Sequence, residues 1–249
     1  NHLHARTSGW LVMCGKFTAM ASWREVFEFS QPLFALKDGN EGGGGDGSND
    51  EEVTYGVAKM LPVIVWDAGA AKRKIVPMRW GFPSPKDWRR PQPIHARSEG
   101  IDTTRAFADA FRHGQRGIVV FKTFNEGEET LTSGGKPKTI QWTIDPGDGI
   151  PRGFAFIWRR FEIPDLPQPM LACCMVTVPA SEMIRRTIMP NQEDPRMPAI
   201  LEDADWDTWL GETRATPDQA KAVLKTMEDV TWKMAPEQKK PARRSRGAS

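Results

Sequence analysis

Residues 171–178 read Leu-Ala-Cys-Cys-Met-Val-Thr-Val, an uncharged run that lies between Pro169 and Pro179. An apolar, partly β-branched run of this length with a proline on each side predicts a buried β-strand. Similar runs bounded by glycine, proline or charge occur at residues 61–66, 74–78, 117–121, 138–144 and 153–158. The core of the protein is therefore predicted to be built from β-strands.

Short helices are predicted around these strands. Residues 103–112 have Phe107 and Phe111 four positions apart, and residues 203–210 end at Gly211. Thr216-Pro217 has the pattern of an N-cap followed by a first-turn proline, which begins a third helix. The helices do not alternate regularly with the strands and no internal repeat is found, so the pattern predicts an α+β fold with peripheral helices.

The composition excludes several classes of protein. The chain has 249 residues, of which 39% are hydrophobic and 27% charged, as in globular proteins. No apolar run approaches the ~20 residues of a membrane span, which excludes an integral membrane protein. Three cysteines (Cys14, Cys173 and Cys174) cannot build a disulfide framework, which predicts a reducing, cytoplasmic location. The four histidines lack zinc-site spacing, so neither a metal nor a cofactor is expected.

The net charge of +2 conceals three unbalanced segments. Residues 38–52 hold six acids and four consecutive glycines without a base, which predicts a flexible surface loop. Residues 239–249 hold five bases without an acid, which predicts a disordered basic tail over residues 237–249. Residues 72–97 hold eight bases and one acid, interleaved with Trp80, Phe82 and Trp88.

Basic residues interleaved with aromatic residues, as in residues 72–97, are typical of proteins that bind single-stranded nucleic acid. Cations bind the phosphates, and flat rings stack on unpaired bases. The structural alternative is a solvated loop whose tryptophans anchor it to the core. The pattern alone leaves both interpretations open.

Several short motifs, in order, resemble the SOS response-associated peptidase (SRAP) family of abasic-site processing and shielding proteins. They are Met13-Cys14-Gly15-Lys16-Phe17, Met78-Arg79-Trp80-Gly81-Phe82-Pro83 with Trp88, His95-Ala96-Arg97-Ser98-Glu99, Phe124-Asn125-Glu126, and Met175-Val176-Thr177 with Arg196-Met197-Pro198-Ala199-Ile200-Leu201. The resemblance spans about residues 13–232. It implies a divergent, candidate phage-related member with one domain, residues 13–236, and a mixed, mainly antiparallel, barrel-like core.

The resemblance implies that Cys14 is the reactive residue. Once Cys14 is N-terminal, its α-amine would attack the aldehyde of a ring-opened abasic sugar, and its thiol would close a thiazolidine ring. The product is a stable DNA–protein cross-link, a lyase-like outcome. An α-amine has a low intrinsic pKa of about 7.7–8.0, which leaves a useful neutral fraction. The same cysteine would also release a peptide that precedes it, as a thiol peptidase does.

The resemblance also implies roles for other residues. Glu126 matches the active-site glutamate and would move protons, the structural alternative being a surface carboxylate on a loop. Arg97 matches the family arginine that binds a DNA phosphate. The structural alternative for Arg97 is an ion pair with Glu99 or another acid. Trp80 falls in the aromatic platform region. The predicted DNA-binding set consists of Lys16, Arg79, Trp80, Trp88 and Arg97.

Two positions of the predicted catalytic set depart from the family. His95 stands where the family has asparagine, and it would donate one hydrogen bond or move protons. Asp194 stands where the family has histidine, and a carboxylate does not imitate neutral imidazole near pH 7. We expect Glu126, His95 and Asp194 to converge on Cys14, with the roles of His95 and Asp194 exchanged if the two side chains face each other.

Residues 1–12 precede the first motif and are interpreted as a leader, a mis-assigned start or a propeptide. While they remain attached, Cys14 has no free amine. The predicted function is capture of abasic sites in single-stranded DNA by a monomeric, nucleoid-associated protein. Two alternatives stay open: a catalytically degenerate protein that only binds single-stranded DNA, and a Cys14/His95 thiol peptidase.

Overall fold

All six predicted strands are present in the computed structural model, which describes residues 16–19, 53–150, 152–227 and 231–237. Each observed strand exceeds its predicted limits by at most three residues at either end. The strands of the described residues are β1 (Lys16–Ala19), β2 (Val53–Gly56), β3 (Met60–Asp67), β4 (Lys72–Trp80), β5 (His95–Arg97), β6 (Arg116–Phe121), β7 (Thr123–Leu131), β8 (Pro137–Asp145), β9 (Arg152–Phe161), β10 (Met170–Pro179), β11 (Arg196–Pro198), β12 (Ile200–Leu201) and β13 (Lys233–Pro236).

Five of these strands close into a barrel. The hydrogen-bonded order is β4, β3, β6, β9 and β10, and β10 returns to β4. Every pair is antiparallel except β10 with β4. β5 lies beside β10 just beyond β4, and β11 also pairs with β10. The predicted barrel-like, mainly antiparallel core with peripheral helices is confirmed.

A second, antiparallel sheet packs against the barrel. Its strand order is β13, β8, β7, β1 and β2. The chain passes from barrel to sheet at Lys122, whose backbone N–H donates to the carbonyl of Thr18 at 3.0 Å. Phe17 and Phe124 of the sheet pack edge-on against Phe154 of the barrel, with ring centroids 5.4 and 5.8 Å apart. These aromatic contacts join the two layers into one core.

The described helices are short. They are α1 (Ala108–Arg112), α2 (Glu182–Thr187), α3 (Trp206–Leu210) and α4 (Pro217–Ala222). The helix predicted over residues 103–112 is confined to α1, because the preceding residues form turns in which Thr103 donates to the carbonyl of Gly100. The predicted start at Thr216 is confirmed by a complete capping box with Gln219.

Gly81 ends β4 and directs the chain into the loop that returns at β5. Its φ is +97°, and a Cβ at this position would lie 2.4 Å from the Cβ of Pro91. Only glycine meets both the conformational and the steric requirement. The motif around Gly81 therefore fixes how β5, and with it His95 and Arg97, is placed beside β10.

Several predicted features lie outside the described residues. They are the leader at residues 1–12, the reactive Cys14, the acidic loop at residues 38–52 and residues 238–249 of the basic tail. Among the helices that the described residues form, none has both the length and the apolar character of a membrane span.

Candidate functional site

Glu126 lies within β7 rather than on a surface loop. Strand alternation places it on the same face as Phe124, which packs against the barrel. Glu126 therefore faces the barrel, and it is 1% exposed. This strand is absent from the sequence-based prediction, because a segment with three glutamates and a glycine lacks the usual composition of a strand.

β1 lies directly beside β7 and carries the second predicted site residue of this sheet. Phe17 is opposite Phe124, and Lys16 is opposite Asn125. Alternation then places Lys16 on the face away from the barrel, where its ammonium forms an ion pair with Glu237. The structure thus separates Lys16 from the face that carries Glu126, and it does not support the predicted DNA contact of Lys16.

Trp80 is a core residue, which corrects its prediction as a stacking platform. Its side chain is 0% exposed, so no face of the ring is open to a base. The indole Nε1–H donates to the carbonyl of Ile94 at 3.2 Å. The ring contacts Phe17 at 5.4 Å and His95 at 6.4 Å between centroids. Trp80 therefore joins β1 of the sheet to β5 at the barrel.

Replacing Trp80 by alanine should lower the free energy of unfolding by about 3–5 kcal/mol, because it leaves a large cavity between the two layers. Urea denaturation monitored by circular dichroism measures the change. Trp88→Ala is the matched control, since Trp88 is only partly buried, and it should cost clearly less. Equal losses for the two variants would contradict the core role of Trp80.

His95 and Arg97 lie on one face of β5, separated by the buried Ala96. β5 runs parallel to β10, with His95 opposite Met175 and Arg97 opposite Thr177. The Arg97 side chain is 54% exposed, so its guanidinium is open to solvent. Of the predicted DNA-binding arginines, Arg97 is the one that the structure leaves accessible.

Asp194 forms an ion pair with Arg97, with Nη1 and Oδ2 2.6 Å apart. Its other carboxylate oxygen lies 3.5 Å from Nη1 of Arg196. The structural alternative for Arg97, a pair with an acid, is therefore observed with Asp194 rather than Glu99. Asp194 forms ion pairs with Arg97 and Arg196, which does not support the exchange of roles with His95.

Arg196 was not singled out from the sequence, although it begins the Arg-Met-Pro motif. It is 3% exposed, and its guanidinium donates to both carboxylate oxygens of Glu99 at 2.8 and 2.7 Å. It also donates to the carbonyl of Thr177 at 3.0 Å. The hydrogen bonds from Arg196 lower the pKa of Glu99. Glu99 and Arg196 belong to motifs that are far apart in the sequence, and no local pattern indicates that the two motifs are in contact.

Arg79 holds a loop in place rather than facing DNA, which corrects its predicted role. It is 9% exposed and donates to the carbonyls of Trp88 and Arg89 at 2.7 and 2.6 Å. Burial lowers the pKa of its guanidinium. Since Arg79 and Trp80 alternate along β4, the loop residues that Arg79 binds lie on the face opposite Trp80. Trp80 and Arg97 pair with Cys173 and Thr177, which lie on one face of β10, so Trp88 and Arg97 are on different faces of the sheet.

The other end of β4 carries bases that are already paired. Arg73 forms ion pairs with Asp207 at 3.1 Å and with Glu212. Lys74 pairs with Asp67 at 2.9 Å. The basic and aromatic residues of segment 72–97 therefore do not form one continuous surface, because several of them are engaged within the protein.

The buried thiols narrow the choice of nucleophile. Cys173 and Cys174 are 0% exposed, and burial raises the pKa of both. Neutral, inaccessible thiols do not act as nucleophiles. Cys14 is the one other cysteine in the sequence. Within the described ranges, no three His, Cys, Asp or Glu side chains converge as metal ligands would.

Comparison of the sequence with known families finds one that covers most of the chain. Residues 13–240 match the family described as SOS response associated peptidase (SRAP). Two similar proteins are the abasic site processing protein YoqW of Bacillus subtilis (strain 168) and that of Bacillus phage SPbeta. Each is 24% identical over 219 residues, which cover 85% of this chain and 86% of the relative.

Solved structures share the fold. A protein from Bordetella bronchiseptica superposes with a TM-score of 0.69 at 19% identity, covering 90% of this chain and 100% of the other. A protein from Bacteroides thetaiotaomicron gives 0.68 at 16% identity, with 90% and 92% coverage. A phage-related protein from B. bronchiseptica gives 0.64 at 16% identity, with 91% and 95% coverage.

Proposed function

The chain belongs to the SOS response associated peptidase family, and from this premise we propose that it processes abasic sites by trapping them covalently in single-stranded DNA through Cys14. The names of the similar YoqW proteins support abasic-site processing. The observation that carries the covalent step is the placement of Glu126, buried on the barrel-facing side of β7 and next to the strand that follows Cys14.

Chain connectivity limits how far Cys14 can lie from β7. Two peptide units separate Cys14 from Lys16, so their Cα atoms are at most about 7 Å apart. Lys16 is directly opposite Asn125, the neighbour of Glu126 in β7. This tether supports Glu126 as the carboxylate within reach of the Cys14 amine and thiol.

The proposed reaction forms two bonds at one sugar carbon. The neutral α-amine of Cys14 adds to the C1′ aldehyde, and loss of one water gives an imine. The thiol then adds to the imine carbon, and its proton passes to the nitrogen, which closes the thiazolidine. Glu126 is proposed to carry protons in both steps. Because Glu126 is 1% exposed, it exchanges protons with bound groups rather than with bulk water.

Arg97 and His95 are proposed to hold the DNA. The exposed guanidinium of Arg97 would bind a phosphate, for which a planar fork of donors is well suited. His95, on the same face of β5, would donate a hydrogen bond to the sugar. Asp194 is assigned no proton transfer, because arginines already engage its carboxylate. A buried carboxylate is reached only by an unpaired nucleotide, which favours a single strand over a duplex.

The test is adduct formation between a chain that begins at Cys14 and an oligonucleotide with one abasic site. We expect a heat- and denaturant-stable species whose mass is that of protein plus DNA less one water. Cys14→Ser keeps the amine and removes the thiol, so its adduct should survive only after borohydride reduction. DNA binding without any adduct would support the degenerate alternative instead.

A further inference from the structure

Two arginines flank β10 near its end, and two carboxylates neutralise them. Arg97 lies on β5 and Arg196 on β11, and both strands pair with β10. Asp194, two residues before β11, contacts both guanidiniums, at 2.6 Å from Arg97 and 3.5 Å from Arg196. Glu99 binds Arg196 through both of its oxygens.

The two ion pairs differ in how easily another anion can enter them. Arg196 is 3% exposed and also donates to a backbone carbonyl, so its pairing with Glu99 is part of the fold. In the other pair, the side chains of Arg97 and Asp194 are 54% and 45% exposed. Exposed pairs of this kind contribute little to stability, because water competes for both partners. The guanidinium of Arg97 is therefore accessible to a phosphate, whereas that of Arg196 is buried.

We propose that Asp194 is an internal competitor of phosphate at Arg97, and that it sets how tightly the protein holds a DNA strand. The carboxylate lies 2.6 Å from Nη1 of the guanidinium, a donor that a phosphate would use. When phosphate binds, Asp194 keeps a cationic partner, because its Oδ1 already lies 3.5 Å from Arg196. The exchange therefore leaves no carboxylate uncompensated. This inference rests on the proposed binding of DNA at Arg97.

The test measures the affinity of the full chain for a fluorescent single-stranded oligonucleotide without an abasic site, so that chemistry does not contribute. Asp194→Asn removes the charge and keeps the shape. We expect about two- to five-fold tighter binding at low salt, where a surface pair has its full effect, and a smaller gain as salt is added. Arg97→Gln should weaken binding.

A double-mutant cycle separates direct competition from general charge effects. In the Arg97→Gln background, Asp194→Asn should give no gain, because the competed group is absent. Glu162→Gln is the matched control: Glu162 also pairs with an exposed arginine, Arg160 at 3.0 Å, but near the opposite end of β10. It should leave affinity unchanged. Unchanged melting temperatures show that the variants fold.

Three results would overturn the proposal. Equal gains with and without Arg97 would mean that Asp194 acts only through net charge. Weaker binding by Asp194→Asn would mean that Asp194 positions Arg97 for DNA. Unaltered affinity of Arg97→Gln would show that Arg97 does not bind phosphate. Each of these is independent of whether Cys14 forms an adduct with abasic DNA, so the failure of this inference is distinguishable from the failure of the proposed function.

Discussion

Glu126→Gln should slow formation of the DNA adduct by about 10²- to 10⁴-fold, the usual contribution of a positioned general acid–base group. Glutamine keeps the shape of the side chain on β7 but cannot take up and return a proton. Because Glu126 is 1% exposed, water cannot substitute easily for the missing carboxylate. Single-turnover adduct formation by a chain that begins at Cys14, followed on denaturing gels, measures the rate.

Glu128→Gln is the matched control for this variant. Glu128 lies two residues further along the same face of β7, and its carboxylate accepts a hydrogen bond from Nε1–H of Trp142 at 2.8 Å. Its loss should change the rate by no more than about three-fold. Unchanged thermal melting would exclude unfolding in both variants. If Glu126→Gln reacts as fast as the wild type, Glu126 has no part in proton transfer.

β10 was predictable because a strand that is buried on both faces has a continuous run of uncharged residues. Residues 171–178, which became most of β10, are uncharged because neighbouring strands and the core surround them. The sequence of β7 has no such uncharged run. Its outer half carries Glu128 and Glu129, and only its pairing with β1 and β8 makes it a strand. Secondary structure set by long-range pairing is the kind that local patterns miss.

The sequence supplied a set of candidate site residues but not their geometry. Trp80 and Arg79 are neighbours in the sequence, yet β4 sends them to opposite faces, one into the core and the other to a loop. Charge counts along the chain cannot register this alternation. Likewise, Arg196 and Glu99 are 97 positions apart, and the pairing of β5 and β11 with β10 brings them together. Neither residue was in the predicted site, because the order of the motifs does not show which side chains the tertiary structure brings into contact.

A chain that keeps residues 1–13 should form no thiazolidine with abasic DNA, whereas a chain that begins at Cys14 should react fully. The reason is chemical. The ring forms only from a free amine and a thiol on adjacent carbons of one residue, and an amide nitrogen at Cys14 is not nucleophilic. The expected difference is all or none. Intact mass spectrometry in denaturant detects both the adduct and the N-terminus of each reacting chain.

The control for this prediction is the chain that begins at Cys14 with its α-amine acetylated, which retains the thiol and removes the amine. It should behave like the longer chain. If the longer chain reacts only as its mass falls by that of residues 1–13, the segment is released first. Cys14→Ser and Glu126→Gln should then block the release, because they remove the attacking thiol and the proton carrier. Equal adduct yields from chains that demonstrably retain residues 1–13 would exclude the thiazolidine, since such chains have no amine at Cys14 from which the imine can form.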